Sequence, residues 1–193
     1  MASKCDTGHR RHAPVGSYRG NLHNAFMPLP RRSVCSLMSS VKGLKFTLPR
    51  VHHVGTVVKD LDASIRYYSE SFGLGPFDVS ESSRTGAIIR GKPGNYKLRQ
   101  AFAEMGQTRL ELSQVVEGRP IQQEFLEKNG EGVHHLGFLV KDLDARVARL
   151  QERGFKVIQK YDSPPGGLRF AFLDTNRVGG IVFEFVWLPE EMR

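Results

Sequence analysis

The chain has 193 residues, 39% of them hydrophobic and 25% charged, with a formal net charge of +8. This composition belongs to a soluble globular protein and excludes wholesale disorder; no apolar run approaches the ~20 residues of a bilayer-spanning helix. The charge is concentrated in residues 1–46, where eight Lys or Arg face one acid, Asp6, while the remaining residues carry 20 basic and 19 acidic groups, a balance that gives no basic groove for a nucleic-acid backbone.

Residues 1–46 are rich in Arg, His, Ser, Gly and Pro and hold both cysteines, Cys5 and Cys35. The segment reads as a basic, disordered N-terminal extension, with an organellar transit peptide or a start assigned too far upstream as alternatives. Met27 and Met38 are the internal starts. The expected compartment is the cytoplasm, or the mitochondrion if the extension is a transit peptide. With no cysteine after position 46, a metal bound there needs His, Asp or Glu ligands.

An internal repeat organises the rest. Residues 51–63 (VHHVGTVVKDLDA) and 133–145 (VHHLGFLVKDLDA) agree at ten of thirteen positions with an offset of 82. Each copy opens with a β-branched run, Val51–Val58 or Val133–Val140, that reads as a strand. Asp60 and Asp142 are placed to cap helices. Leu61, Ile65, Tyr68 and Phe72 form one helical stripe, and Leu143, Val147 and Leu150 form its counterpart; Gly73 and Gly154 follow as stops. Extended segments are expected at Gly86–Ile89, Leu98–Glu104 and Thr108–Leu112. A linking helix is expected over Pro120–Gly130, with Ile121, Phe125 and Leu126 on one side. The second copy adds Phe155–Gln159, Leu168–Leu173 and Gly180–Val186. The stretch Gly91-Lys92-Pro93-Gly94 reads as a hairpin turn. The fold class is therefore α+β, with two tandem βαβββ modules forming one shared cleft.

In Leu110-Glu111-Leu112 and Phe183-Glu184-Phe185, alternation sends the apolar residues to one face and the glutamate to the other. A carboxylate isolated in an apolar strand is costly unless it is paired, protonated or bound to a cation. Each module thus offers a His at its first strand and a Glu at its last. Nitrogen and oxygen ligands without sulfur suit one divalent ion, whether Co, Mn, Ni, Zn or Fe. Alternation alone leaves open whether His52 or His53 faces inward.

The segments His53-Val-Gly, Val58-Lys-Asp-Leu-Asp-Ala-Ser-Ile-Arg-Tyr-Tyr, Gly130-Glu-Gly-Val-His-His-Leu-Gly-Phe and Val140-Lys-Asp-Leu-Asp resemble the vicinal oxygen chelate superfamily of glyoxalase I, bleomycin-resistance proteins and extradiol dioxygenases. The resemblance covers about residues 50–188, with modules at about 50–115 and 132–188 of a domain at 47–193. Thr108-Arg-Leu-Glu-Leu, Phe125-Leu-Glu-Lys-Asn-Gly-Glu-Gly-Val-His-His and Gly179-Gly-Ile-Val-Phe-Glu are most similar to methylmalonyl-CoA epimerases. That resemblance implies His53, Glu111, His135 and Glu184 as metal ligands and a homodimer. It also implies proton abstraction next to a carbonyl of an acyl-CoA or small 2-substituted acid. Glu184 and Glu104 are the candidate catalytic carboxylates, because Arg99 and Gln100 stand where an epimerase glutamate is expected. Arg99 and Arg169 could grip an anionic substrate group. The alternatives are a glyoxalase I-like lactoylglutathione lyase, a metal-free drug-binding module and an extradiol dioxygenase; no nucleic-acid or membrane partner is expected.

Overall fold

The computed structural model describes residues 46–164 and 166–192, so the expectations for the N-terminal extension lie outside the described residues. Eight strands close a barrel: β1 (His53–Val57), β2 (Asp78–Ile89), β3 (Lys92–Met105), β4 (Thr108–Gly118), β5 (Gly132–Leu139), β6 (Val157–Asp162), β7 (Arg169–Leu173) and β8 (Val182–Trp187). Their order around the barrel is β1-β4-β3-β2-β6-β7-β8-β5. Among the described residues three α-helices accompany them, α1 (Leu61–Phe72), α2 (Ile121–Asn129) and α3 (Leu143–Gln151), with a single 3-10 turn at Glu190–Met192. No helix among the described residues is long and apolar enough to cross a membrane.

The repeated segments fold as β1–α1 and β5–α3, and each is followed by three strands. In each half the first strand runs parallel to the last, β1 with β4 and β5 with β8. The halves meet at two seams. At one, β1 pairs antiparallel with β5 from His53↔Gly137 to Val57↔Gly132. At the other, β2 meets β6 only at Ile88↔Lys160 and Ile89↔Gln159. Residues 78–84 of β2 therefore pair with β3 alone, and this leaves the barrel wall open on that side.

Asp60 caps α1 as its sequence predicts, its Oδ1 accepting from the Ala63 amide at 2.9 Å, and Gly73 ends the helix in the left-handed region. Leu61 is buried with Leu110, Leu112 and Ala101, and Ile65 and Tyr68 pack against them. The predicted stripe stops there, because Phe72 is 66% exposed. In α3, Asp142 makes no capping hydrogen bond; its Oδ1 accepts instead from Arg146 Nε at 2.7 Å. The charged guanidinium thus takes the place of the backbone amide as the donor to this carboxylate. The start of α2 is held by the fully buried Gln159, whose Oε1 accepts from the Ile121 amide. Strand β2 begins at Asp78, eight residues ahead of the predicted segment, and the β2–β3 turn lies at Arg90-Gly91, with Lys92–Gly94 already in β3.

Candidate metal centre

Four adjacent strands, β4, β1, β5 and β8, each send one ligand-type side chain to the barrel interior. Register fixes this: Gly55 on β1 stands opposite both Glu111 and His135, and Gly137 on β5 stands opposite both His53 and Glu184. His53 Nε2 lies 3.2 Å from His135 Nε2, 3.2 Å from Glu111 Oε2 and 2.9 Å from Glu184 Oε2. His135 Nε2 lies 3.6 Å from each carboxylate oxygen. All four residues are buried, none more than 7% exposed. Of each His pair it is the second member whose Nε2 reaches the cluster.

The glycines explain how the rings approach so closely. A β-carbon on Gly137 would stand 2.0 Å from the His53 ring, and one on Gly55 would stand 1.9 Å from the His135 ring. Neither glycine has a positive φ, so both are required by the ring lying over the backbone, not by a turn. Each half repeats the shell: Phe102 packs edge-on against His53, and Phe172 against His135.

The donor set fits a divalent cation. Ligand bonds of about 2.1 Å place neighbouring donors about 3.0 Å apart at right angles and about 3.4 Å apart in a tetrahedron, close to the 2.9–3.6 Å that separate the histidine nitrogens from each other and from the carboxylates. Charge points the same way. Burial opposes a proton on His53, but the hydrogen bond to Glu184 and the Glu111 carboxylate outweigh it and raise its pKa. Burial also pushes the Glu111 carboxyl up, yet the His135 hydrogen bond, the charges of both histidines and the Ser113 hydroxyl hold it well below the usual range. A proton on His53 balances one carboxylate; a divalent ion balances both.

The first His of each pair sets the second. His52 Nδ1 lies 2.9 Å from His53 Nδ1, and His134 Nδ1 lies 3.0 Å from His135 Nδ1. For Nε2 to offer a lone pair to a cation, Nδ1 must carry the proton and donate it to the neighbouring ring. That neighbour must be neutral. Burial, followed by the charge of His135, lowers the His134 pKa to about 3, and burial with His53 lowers that of His52.

The two glutamates differ. Glu111 Oε1 accepts from Gln100 Nε2 at 2.8 Å and from Ser113 Oγ at 2.5 Å, and Ser82 Oγ donates to Gln100 Oε1 at 3.0 Å. The positions matching Gln100 and Ser113 beside Glu184 hold Phe170 and Val186, since Phe170↔Val186 follows Phe172↔Glu184 as Gln100↔Ser113 follows Phe102↔Glu111. Glu184 Oε1 has no hydrogen-bond partner among the described residues. Glu184 and Glu111 both line a cavity of about 330 Å³ whose walls include Leu98, Phe102, Phe170, Phe172, Val186 and Leu188, a size and character typical of small-molecule sites. A larger groove of about 550 Å³ beside α1 contains none of the four ligands.

Other sequence candidates lie elsewhere. Glu104 is not brought to the cluster: its side chain is 73% exposed and pairs with Arg109, whose Nε is 3.0 Å away without hydrogen-bond alignment. Arg99 grips Asp62 of α1 through two hydrogen bonds of 2.9 Å, and Arg169 grips Asp144 of α3 in the same way while also bonding Asp162. Both clamp a helix to the third strand of its own half, outside the cavity. Sequence reasoning passed over Gln100 as a clamp and Arg84, which lines the cavity; the inward parity shared by residues 98, 100 and 102 was the available signal for the first.

A family model described as the glyoxalase/bleomycin resistance protein/dioxygenase superfamily matches residues 52–172. An ethylmalonyl-CoA/methylmalonyl-CoA epimerase of Cereibacter sphaeroides is 31% identical over 111 residues, 56% of this chain and 74% of the relative. YqjC of Bacillus subtilis is 25% identical over 136 residues, 70% of this chain and 89% of the relative. Among solved structures, a variant methylmalonyl-CoA epimerase of Streptomyces coelicolor in complex with 2-nitronate-propionyl-CoA is similar with a TM-score of 0.56 and 26% identity, covering 75% of this chain and 97% of the other. A methylmalonyl-CoA epimerase in complex with methylmalonyl-CoA and NH4+ gives 0.55 and 28%, with the same coverage.

Proposed function

The chain belongs to the glyoxalase/bleomycin resistance protein/dioxygenase superfamily, and from that premise we propose that it is a metal-dependent epimerase of acyl-CoA thioesters that carry a second carbonyl group. The observation that carries the reading is the inequality of the two glutamates. Glu111 has one oxygen in the cluster and the other fixed by Gln100 and Ser113. Glu184, which lines the largely apolar cavity, has one oxygen in the cluster and the other without a hydrogen-bond partner among the described residues.

His53, Glu111, His135 and Glu184 would hold the ion. A divalent ion bound there supplies Lewis-acid stabilisation of negative charge on a carbonyl oxygen. The protein's own residues do the rest. Glu184 Oε1 accepts the proton from the carbon between the two carbonyl groups, and inversion follows when that planar carbon is reprotonated on its opposite face. The apolar neighbours Phe170 and Val186 offer Glu184 no competing donor, which leaves it a usable base. Glu104, solvent-exposed and paired with Arg109, takes no part in this step.

The likeness to methylmalonyl-CoA epimerases in sequence and structure supports the substrate class. A second reading rests on the same carboxylate. One open carboxylate is also what a glyoxalase-type shift of a proton between adjacent carbons uses. The deciding experiment incubates the cobalt-loaded protein in deuterated water with methylmalonyl-CoA and, separately, with the hemithioacetal of methylglyoxal and glutathione. Deuterium entering the methylmalonyl α-position together with epimer interconversion supports the epimerase. Turnover of the hemithioacetal alone replaces it with the lyase.

A further inference from the structure

Strand β2 carries Ser80, Ser82 and Arg84 along the open side of the cavity, where β6 no longer pairs with it. Arg84 differs from the other arginines that border or flank the barrel interior. Arg99 is neutralised by Asp62, Arg169 by Asp144 and Asp162, and Arg109 by Glu104 and Asp78. Arg84 pairs with no carboxylate among the described residues. Its guanidinium rests on the Tyr161 ring, 5.2 Å from the centroid, and its one hydrogen bond is a long contact of 3.4 Å to the Ser83 carbonyl. The aromatic face across the seam fixes the guanidinium plane while leaving its N–H groups unspent.

Position gives the ligand. Arg84 stands opposite Tyr96 on β3, while Glu111 stands opposite Phe102. Six residues of β3, about 20 Å of strand, separate those two levels. The wall between them is uncharged, with apolar Leu98, Phe170 and Leu188 alongside Ser80, Ser82 and Gln100. A ligand chelated at the cluster and running out of the cavity thus crosses an uncharged stretch before meeting a single unpaired cation at the mouth. In a coenzyme A thioester a pantetheine arm of about 15 Å joins the thioester to a phosphate, and with the acyl group at one end and the Arg84 side chain at the other it covers that span.

We propose that Arg84 is an oxyanion subsite at the cavity mouth, taking the phosphate carried on the arm of a coenzyme A thioester. This rests on the acyl-CoA reading above. The shared chemistry is an anionic oxygen pair on a guanidinium fork, which a carboxylate of a small free acid could also supply, so the test separates the two sources.

Binding of free coenzyme A, pantetheine and methylmalonic acid is measured calorimetrically on the metal-loaded full chain, for the parent, Arg84→Gln and Arg84→Lys. A charge-assisted hydrogen bond predicts coenzyme A at least about tenfold tighter than pantetheine on the parent. Arg84→Gln abolishes that difference, Arg84→Lys keeps part of it, and pantetheine binds all three alike. Near-ultraviolet circular dichroism of the variants reports whether the Tyr161 surroundings are intact. Coenzyme A affinity unchanged in a folded Arg84→Gln overturns the subsite, as does a loss confined to methylmalonic acid. The parent reading fails separately. Arg84-dependent coenzyme A binding without α-proton exchange removes the reaction and keeps the subsite; exchange with an unchanged KM in Arg84→Gln removes the subsite and keeps the reaction.

Discussion

The imidazole of His53 occupies the space where a side chain on Gly137 would stand, so that a β-carbon there would lie 2.0 Å from its Cε1. The same contact joins His135 to Gly55. Each half of the barrel therefore provides the floor on which the other half's ligand rests. Gly137→Ala and Gly55→Ala keep an allowed backbone but evict the ring. Both variants should fold with a loss of about 1–3 kcal/mol from overpacking. Their affinity for cobalt, measured by chelator competition, should fall at least about a hundredfold, beyond what second-sphere changes cause. Parent-like affinity in either variant would show that the rings do not hold the ion.

The unequal glutamates yield a transplant test. Phe170→Gln with Val186→Ser builds beside Glu184 the clamp that Gln100 and Ser113 form on Glu111. Metal binding should persist, while α-proton exchange should drop by about 10²–10⁴, the contribution of a positioned base. Glu184→Gln should show the same loss with weakened metal binding. Exchange at the parent rate in the clamped double variant would mean that another group moves the proton.

A third expectation concerns the ring behind each ligand. His134→Phe preserves the aromatic packing against Phe125 and Phe172 but removes the acceptor for His135 Nδ1–H. Chelator competition should report about 10–100-fold weaker metal binding, with His134→Asn recovering part of it. An unchanged affinity in both would reduce His134 to a packing residue.

Acid titration offers a fourth. Folded His134 has its pKa lowered to about 3 from 6.5. Below pH 6.5 the unfolded chain takes up a proton that the folded chain refuses. Stability is fully present above pH 6.5 and declines as the pH falls toward 3, by about 1.4 kcal/mol per unit for this group. Urea midpoints between pH 6.5 and 5, before most carboxylates titrate, should fall in the metal-free parent and fall less in His134→Phe. Parallel profiles would rule out His134 as the source.

Arg99→Gln should leave the KM of any thioester substrate within about twofold, because its guanidinium is committed to Asp62 outside the cavity. A large KM effect would return it to the substrate site.

How much of this could be read from the sequence follows from where local pattern decides. The 51–63 and 133–145 repeat and the alternation around Glu111 and Glu184 carry their information within a few residues, so the paired strands and the inward glutamates were legible. The outer half of β2 was not. Asp78-Val-Ser-Glu-Ser-Ser-Arg-Thr has no apolar alternation because it borders an open mouth and pairs on one side only. Asp142 has a capping residue's identity, yet Arg146 one turn on captures its carboxylate. Arg99 and Arg169 looked like anion grips until helix and strand brought Asp62 and Asp144 to them. The reason for Gly55 and Gly137 lies in a ring 82 residues away, across a strand pairing that no local window contains.

The two seams carry unequal loads. One is a five-residue strand pairing at β1 and β5, and the other is Ile88 and Ile89 against β6, continued by a hydrogen bond from the Arg90 amide to the Ile158 carbonyl. An ion at the cluster would bridge the stronger seam with two ligands from each side, like a rivet set through overlapping plates. Stiffness would then concentrate along β4-β1-β5-β8, and the β2–β6 side would be left to spread. The mouth would widen about a fixed line, with the weaker wall flexing while the four ligands stay in place.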